Sequence, residues 1–335
     1  MVYRSVETRE EGAPRPGISY RLSKVNSKVL GKWEEILSAS EKAIYLPQKR
    51  AETDNSIERF PDEKDFSESG LKYPLLNNTI ISANGRDVEQ FLQSQVTCDM
   101  TKIEEDEMFL TSWCAPNGRV KHLLNIIKSK ATLYLAIPND LVEKFLSQIR
   151  IYVLNSDVIF KDVSDSRLIF LTAKSAKHKP DWHIGSLSDT RKHWRNAMEI
   201  PITQATASLF EINQSIPRLN RELSEKFLPQ ELNLDIGNGL SFEKGCFPGQ
   251  EIIARVKYRG NVKRRLRVLQ SPQPLTSPPE VGDILTDGAS KKIGTVLRVA
   301  ETPDGLNIVQ SVLDISATDF CYCNHNSEKL VTVDY

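Results

Sequence analysis

The chain is poor in cysteine, has no excess of charge and contains no long apolar run. Its 335 residues include five cysteines, at positions 98, 114, 246, 321 and 323. An odd, scattered set of this kind makes no disulfide framework. No secretory leader is read at the start, and reducing cytosol is the expected compartment. Lys plus Arg and Asp plus Glu both number 44, so there is no global pull towards nucleic acid, and any polyanion site must be a local patch. No uninterrupted apolar stretch reaches the ~18 residues of a membrane span. A phosphate-cradling Gly-x-x-x-x-Gly-Lys loop, a dinucleotide fingerprint and paired Cys-x-x-Cys spacing are all missing, which makes nucleotide hydrolysis and structural zinc poor hypotheses. Cys321, Cys323 and His325 have a spacing that a soft metal accepts, because alternate strand residues face one side. Two thiols and one imidazole do not amount to a metal centre, and none is expected.

What is present is a thiol set between two glycines, in Lys244-Gly245-Cys246-Phe247-Pro248-Gly249-Gln250-Glu251. Pro248 reads as the first turn of a helix, with Ile252, Ile253 and Val256 as its apolar face and Gly260 as its end. Cys246 would then sit at an amino-terminal helix end, where unpaired N–H groups and the dipole favour a thiolate and lower a thiol pKa from about 8.5. The plain alternative is a small buried apolar cysteine beside a tight turn. Spacing alone leaves both readings open. Downstream, Arg255, Lys257, Arg259, Lys263, Arg264, Arg265 and Arg267 place seven cations in thirteen positions. Such a patch suits tRNA phosphates or the polyglutamate tail of a folate, and equally a solvated helix end.

The chain divides into three textures. Residues 1–70 hold an acidic run through Asp54, Glu58, Asp62, Glu63, Asp65 and Glu68 and read as a polar, partly disordered extension, with one helix over Lys32 to Tyr45. From 71 to 265, strand patterns at Leu75 to Ala83, Met108 to Ala115, Val120 to Ile127, Thr132 to Ile137, Asp157 to Val163 and Arg167 to Thr172 mix with helix patterns at Asp87 to Val96 and Val142 to Ile149. Pro116-Asn117-Gly118 marks a hairpin, and Lys174 to Asp189 reads as loop. This mixture predicts an α+β region and not a doubly wound parallel sheet. From 266 to 335, short apolar runs separated by Pro and Gly clusters predict a small antiparallel barrel.

The cysteine octapeptide, with Ala254-Arg255 and Lys257-Tyr258-Arg259-Gly260 behind it, resembles the Lys-Gly-Cys-aromatic-x-Gly-Gln-Glu signature of the YgfZ family, which is related to the glycine-cleavage T-protein GcvT. The resemblance extends through Gln95-Val96-Thr97-Cys98-Asp99, Asn117-Gly118-Arg119 and Phe227-Leu228-Pro229-Gln230-Glu231-Leu232, and covers about residues 75 to 335. It implies a GcvT-like folate-binding α+β region followed by a carboxy-terminal β-barrel. It also implies tetrahydrofolate or a one-carbon derivative as cofactor, and support of iron-sulfur proteins such as tRNA methylthiotransferases, and so of tRNA modification. Cys246 would be the reactive thiol, within Lys244, Gly245, Gly249, Gln250 and Glu251. Where GcvT has an aspartate after the hairpin glycine, this chain reads Gly118-Arg119-Val120-Lys121-His122. Cations in place of a carboxylate argue against glycine-cleavage chemistry. The folate site departs from the family as well. In an ungapped alignment its two tryptophans fall on Asn78 and Ala207, and Asn213 takes the place of the glutamate in Ile-Glu-Ala-Gly-x-Pro. Gln95 is the remaining folate candidate. Two other functions stay open: a tetrahydrofolate-dependent one-carbon transferase, and a tRNA- or protein-binding module using the basic cluster.

Overall fold

In Ile80-Ile81, Ile126-Ile127 and Leu135-Ala136 both faces of a strand are apolar, so the sheet they form must be covered on both sides. The computed structural model describes residues 26–45, 70–129, 132–175, 178–317, 320–323 and 328–333, and shows that double cover. The strands are β1 (Leu71–Pro74), β2 (Asn78–Asn84), β3 (Met108–Cys114), β4 (Val120–Ser129), β5 (Thr132–Pro138), β6 (Ile159–Asp162), β7 (Leu168–Ala173), β8 (Asp181–Gly185) and β9 (Ile200–Pro201). They form a five-stranded sheet in the order β3-β4-β5-β2-β6 and a four-stranded sheet in the order β8-β7-β1-β9. Ile80, Ile127 and Ala136 of the first sheet pack against Leu71, Tyr73, Ile169 and Leu171 of the second. The alternate residues Ile81, Ile126 and Leu135 face the helices α3 (Val88–Gln95) and α4 (Val142–Val153), meeting Phe91, Leu92, Phe145 and Ile149. Each such buried side chain contributes roughly 1.5–3 kcal/mol.

The sheet pairings are antiparallel except for β1 with β9, in keeping with an α+β region. The strand expected over Leu75 to Ala83 begins later, at Asn78 as β2, and an additional short strand, β1, precedes it in the other sheet. Pro74 ends β1, since it has no N–H for a continuing ladder, and Leu75 and Leu76 cross between the sheets as buried residues. The stretch read as loop after Lys174 contains β8, a half-exposed edge strand, and the start of α5 (Leu187–Asn196), whose cap Ser186 accepts from the Asp189 N–H.

The amino-terminal reading is corrected too. The expected helix is a pair, α1 (Ser27–Ile36) and α2 (Ala39–Tyr45). Val29, Trp33 and Ile36 of α1 are buried against Leu76, Phe170 and Trp194, so α1 belongs to the core. Trp33 meets Trp194 edge-on, at 5.1 Å between ring centres. The acidic run from Asp54 to Glu68 lies outside the described residues, as does His325.

After α6 (Gln204–Asn213) and α7 (Gln250–Arg259), six strands close a barrel: β10 (Arg264–Gln270), β11 (Ile284–Thr286), β12 (Lys292–Glu301), β13 (Asn307–Asp314), β14 (Phe320–Cys323) and β15 (Lys329–Val333). Their order is β10-β13-β12-β11-β14-β15, and β15 pairs back onto β10. Closure removes the free edges that an open sheet of this size would expose. The three-residue β11 and the Cys-containing β14 are too short for their alternation to stand out in the sequence.

Candidate functional site

Gly249 and Gly118 are where separate motifs meet. Gly118 ends the β3–β4 hairpin turn with φ +79°, and its N–H donates to Ala115 O at 2.9 Å. Gly249 has φ +82°, and a Cβ there would lie 2.6 Å from both Ala115 O and Gly118 Cα. A methyl group at Gly118 would meet Ile252 and Leu228. The hairpin tip is thus pressed against the start of α7, and only glycine permits that approach. Replacing Gly249 by alanine adds left-handed strain to a clash with backbone, and is expected to cost about 2 kcal/mol in urea unfolding. An unchanged midpoint would show that the contact is not tight.

The same contact shifts the helix. Gly249 is the cap and Gln250 the first helical residue, because a left-handed residue cannot lie inside the helix. Pro248 therefore precedes the cap instead of forming the first turn. Cys246 lies three residues before the cap, in the loop, and not at the helix end that the spacing suggested.

That loop is fixed from below. Lys244 is buried, and its ammonium donates to Val96 O at 2.7 Å and Cys98 O at 2.8 Å. Burial pushes its pKa down to about 8, with Cys98 and Asp99 pulling the other way. Ser241 N–H donates to Thr97 O at 2.9 Å. The Thr97 hydroxyl donates to Gly239 O at 2.7 Å and lies 2.9 Å from the Ser112 hydroxyl. The Gln95 to Asp99 stretch is thus the floor of the cysteine loop. Phe247 is buried with Ile253, Phe227 and Leu232, which anchors the loop on its other side. Gln230 donates to Ile253 O at 2.8 Å, so the Phe227 to Leu232 segment braces α7 from behind.

On this base Cys246 is exposed, while Cys98, Cys114, Cys321 and Cys323 are buried. Burial raises those four thiols, Cys114 and Cys321 to about 12. Of the two readings of Cys246, the buried packing cysteine is the one the structure discards. Among the described residues no cluster of three His, Cys, Asp or Glu side chains is placed to hold a metal.

The basic cluster divides in two. Arg264 pairs with Glu231 at 2.8 Å and Arg265 with Asp235 at 2.6 Å, and both are half-buried. Arg255, Lys257, Arg259 and Lys263 are exposed, with Arg255 bound to Glu251 at 3.0 Å. The charge reversal expected at Lys121-His122 is halved. His122 is fully buried, and burial lowers its pKa to about 3, so it is neutral. Only Lys121 is a cation there, 5.0 Å above the Trp113 ring.

The folate candidates are not brought together. Asn78 lines a cavity with Trp182, Glu211 and Arg218, whereas Ala207 packs in the core between the sheets and Gln95 lies under the cysteine loop. Asn213 does not hold the carboxylate's place. The buried acid is Glu211, two residues earlier and so about 200° around α6. Glu211 binds Arg218 through two hydrogen bonds, one of them 2.7 Å. It also binds Arg298 at 3.1 Å and accepts from the Tyr73 hydroxyl at 3.1 Å. The cavity measures about 10 Å³, room for about one water, where ligand pockets run to roughly 300–1,000 Å³. With its carboxylate fully engaged and its space filled, this site does not fit a pterin in the described conformation.

No family model matches the chain. It is 27% identical over 263 residues to the tRNA-modifying protein YgfZ of Aliivibrio fischeri, covering 70% of this chain and 82% of that one. For the Yersinia pestis protein of the same name the identity is 27% over 297 residues, covering 76% and 88%. An uncharacterized Haemophilus influenzae protein is 28% identical over 244 residues, covering 70% and 86%. The crystal structure of the glycine cleavage system aminomethyltransferase T from Bartonella henselae superposes with a TM-score of 0.64 at 10% identity, covering 82% of this chain and 87% of that one, a likeness of fold alone. By sequence the chain is similar to the YgfZ proteins, and its fold is like that of aminomethyltransferase T.

Proposed function

We propose that this chain acts in tRNA modification, with Cys246 as its working thiol in support of iron-sulfur enzymes such as tRNA methylthiotransferases. One observation carries the reading. Four separated motifs converge to hold a single exposed cysteine on a buried, hydrogen-bonded base. Rigid support of an exposed, reactive side chain is what a functional position requires and what a packing cysteine has no use for. The name borne by the Aliivibrio and Yersinia relatives supports the link to tRNA. The tetrahydrofolate that the resemblance implies enters no step of this reading, because the Glu211 cavity measures about 10 Å³.

The test is replacement of Cys246 by serine in cells that depend on this chain, with iron-sulfur-dependent tRNA methylthiolation measured by mass spectrometry of digested tRNA. Loss of the modification, at normal protein level, is expected. Full modification with serine in place would defeat the proposal. Among the described residues no helix is long and apolar enough to cross a membrane, and cytosol is the proposed location.

A further inference from the structure

Beside the cysteine loop an aromatic ring stands out in the solvent among cations. Tyr258 on α7 is 69% exposed, a heavy exposure for a side chain that normally covers apolar surface. It is not free to wander. Phe242, four residues before Cys246 in the same loop, meets it edge-on with ring centres 6.1 Å apart. The Lys257 ammonium sits 5.0 Å over the Phe242 ring, so ring and cation are held as one unit. Arg259 and Lys263 are exposed next to it. The inward side of α7 is taken up by Ile253, which is fully buried, and Arg264 and Arg265 are spent on Glu231 and Asp235. The surface that remains is a braced aromatic face with three exposed cations beside it. In a chain of zero net charge, that concentration is local.

Aromatic rings with flanking cations suit a chain that offers flat π-faces and phosphates together. That describes single-stranded nucleic acid, whose bases stack at roughly 1–3 kcal/mol each. A duplex hides its base faces, and an acidic peptide has none to offer. We propose that Tyr258, braced by Phe242, stacks an unpaired RNA base, with Lys257, Arg259 and Lys263 holding the adjoining phosphates, so that the RNA is presented beside Cys246. This rests on the reading of the chain as acting in tRNA modification, and names how the RNA is held.

The experiment measures fluorescence anisotropy of the full chain with a fluorescein-labelled single-stranded RNA of about twelve nucleotides, and with the same RNA annealed to its complement. Wild type should bind the single strand more tightly than the duplex. Tyr258→Ala should weaken single-strand binding about tenfold or more, the loss of one stacked base, while Tyr258→Phe stays within about twofold. Removing Lys257 and Arg259 together should lower the salt dependence by about 1.4 in log–log slope. Cys246→Ser should keep its affinity for RNA although it loses modification, which separates the two claims. Failure of wild type to bind, a Tyr258→Ala affinity equal to wild type, or a Tyr258→Phe loss as large as that of alanine would each overturn the stacking platform. None of these would touch the role of Cys246, which its own assay decides. Tyr258 is a surface residue, and an unchanged unfolding midpoint of the alanine variant confirms that binding and not folding is being read.

Discussion

Glu211→Ala is expected to destabilise the protein by about 3–5 kcal/mol, read as a lowered urea midpoint with unchanged slope. The carboxylate is 5% exposed, and faces Arg218 and Arg298, 23% and 13% exposed. Removing it leaves two nearly buried guanidinium groups without a counter-charge, and strips the Tyr73 hydroxyl of its acceptor. The double variant Glu211→Met, Arg218→Met should recover part of the loss. Arg298 keeps its 2.8 Å bond to the Ser208 hydroxyl, and two methionines refill the volume and leave one stranded guanidinium in place of two. A pH arm checks the same network. Burial alone would raise the Glu211 pKa, but Arg218 and Arg298 outweigh it and bring it from 4.5 to about 2. The unfolded chain therefore binds the proton first as pH falls. The contribution of Glu211 is complete above about pH 4.5 and disappears towards pH 2, some 3 kcal/mol that the alanine variant should lack. Equal acid sensitivity of variant and wild type would refute the assignment.

Glu211 also shows why parts of the site were hard to read from residues. The family pattern spaces its glutamate four residues before a proline, but here the chain runs from Glu211 to Pro217 with Ser215 at φ +53°. An ungapped alignment therefore lands on Asn213. The available signal was an acid set between Phe210 and Ile212 on a helix with no other charged residue, since an ionised side chain in such company is buried only when paired. Its partners come from Arg218, seven residues on, and from Arg298 in the barrel, a pairing that no local pattern reveals.

Long apolar stretches were more legible. β3, β4, β5 and α3 fall within a residue or two of their patterns, because their periodicity is set by burial on one face or both. The hairpin at Asn117-Gly118 follows from glycine's left-handed backbone. The cysteine motif was visible as a motif, but its geometry was not. Lys244 is a buried anchor for a loop some 150 positions earlier in the chain, a contact that its place in the motif does not reveal. The seven-cation run looked like one patch. Two of its arginines lie at the start of β10, where they turn back to Glu231 and Asp235, Arg267 is half-buried further along β10, and the exposed remainder is Arg255, Lys257 and Arg259 on α7 with Lys263 just after it.

His122 should make the fold lose stability already in mild acid, by about 2 kcal/mol between pH 6.5 and 5. Its ring is stacked on Trp113 at 5.6 Å between centres and meets the edge of Phe145 at 5.4 Å. Burial lowers its pKa from 6.5 to about 3, Lys144 and Lys121 push the same way, and Gln148 opposes them. For a base whose folded pKa is depressed, the unfolded chain takes up the proton first, so stability falls as pH drops below 6.5 and continues to fall to about 3. That window opens above the one set by Glu211, and between pH 6.5 and about 4.5 the loss due to His122 is read without that of Glu211. His183, stacked on Phe170 at 4.6 Å, is lowered by burial as well, so some slope survives when His122 is removed. His122→Phe keeps an aromatic face for Trp113 and has nothing to protonate. Its unfolding free energy should be flatter than wild type from pH 6.5 to 5, by about 2 kcal/mol over that interval. The wild-type His122 ring should show no titration by NMR above about pH 4 in the folded protein. A resonance titrating near 6.5, or a phenylalanine variant with the wild-type slope, would place the imidazole in contact with solvent and restore the second cation that the sequence suggested at this position.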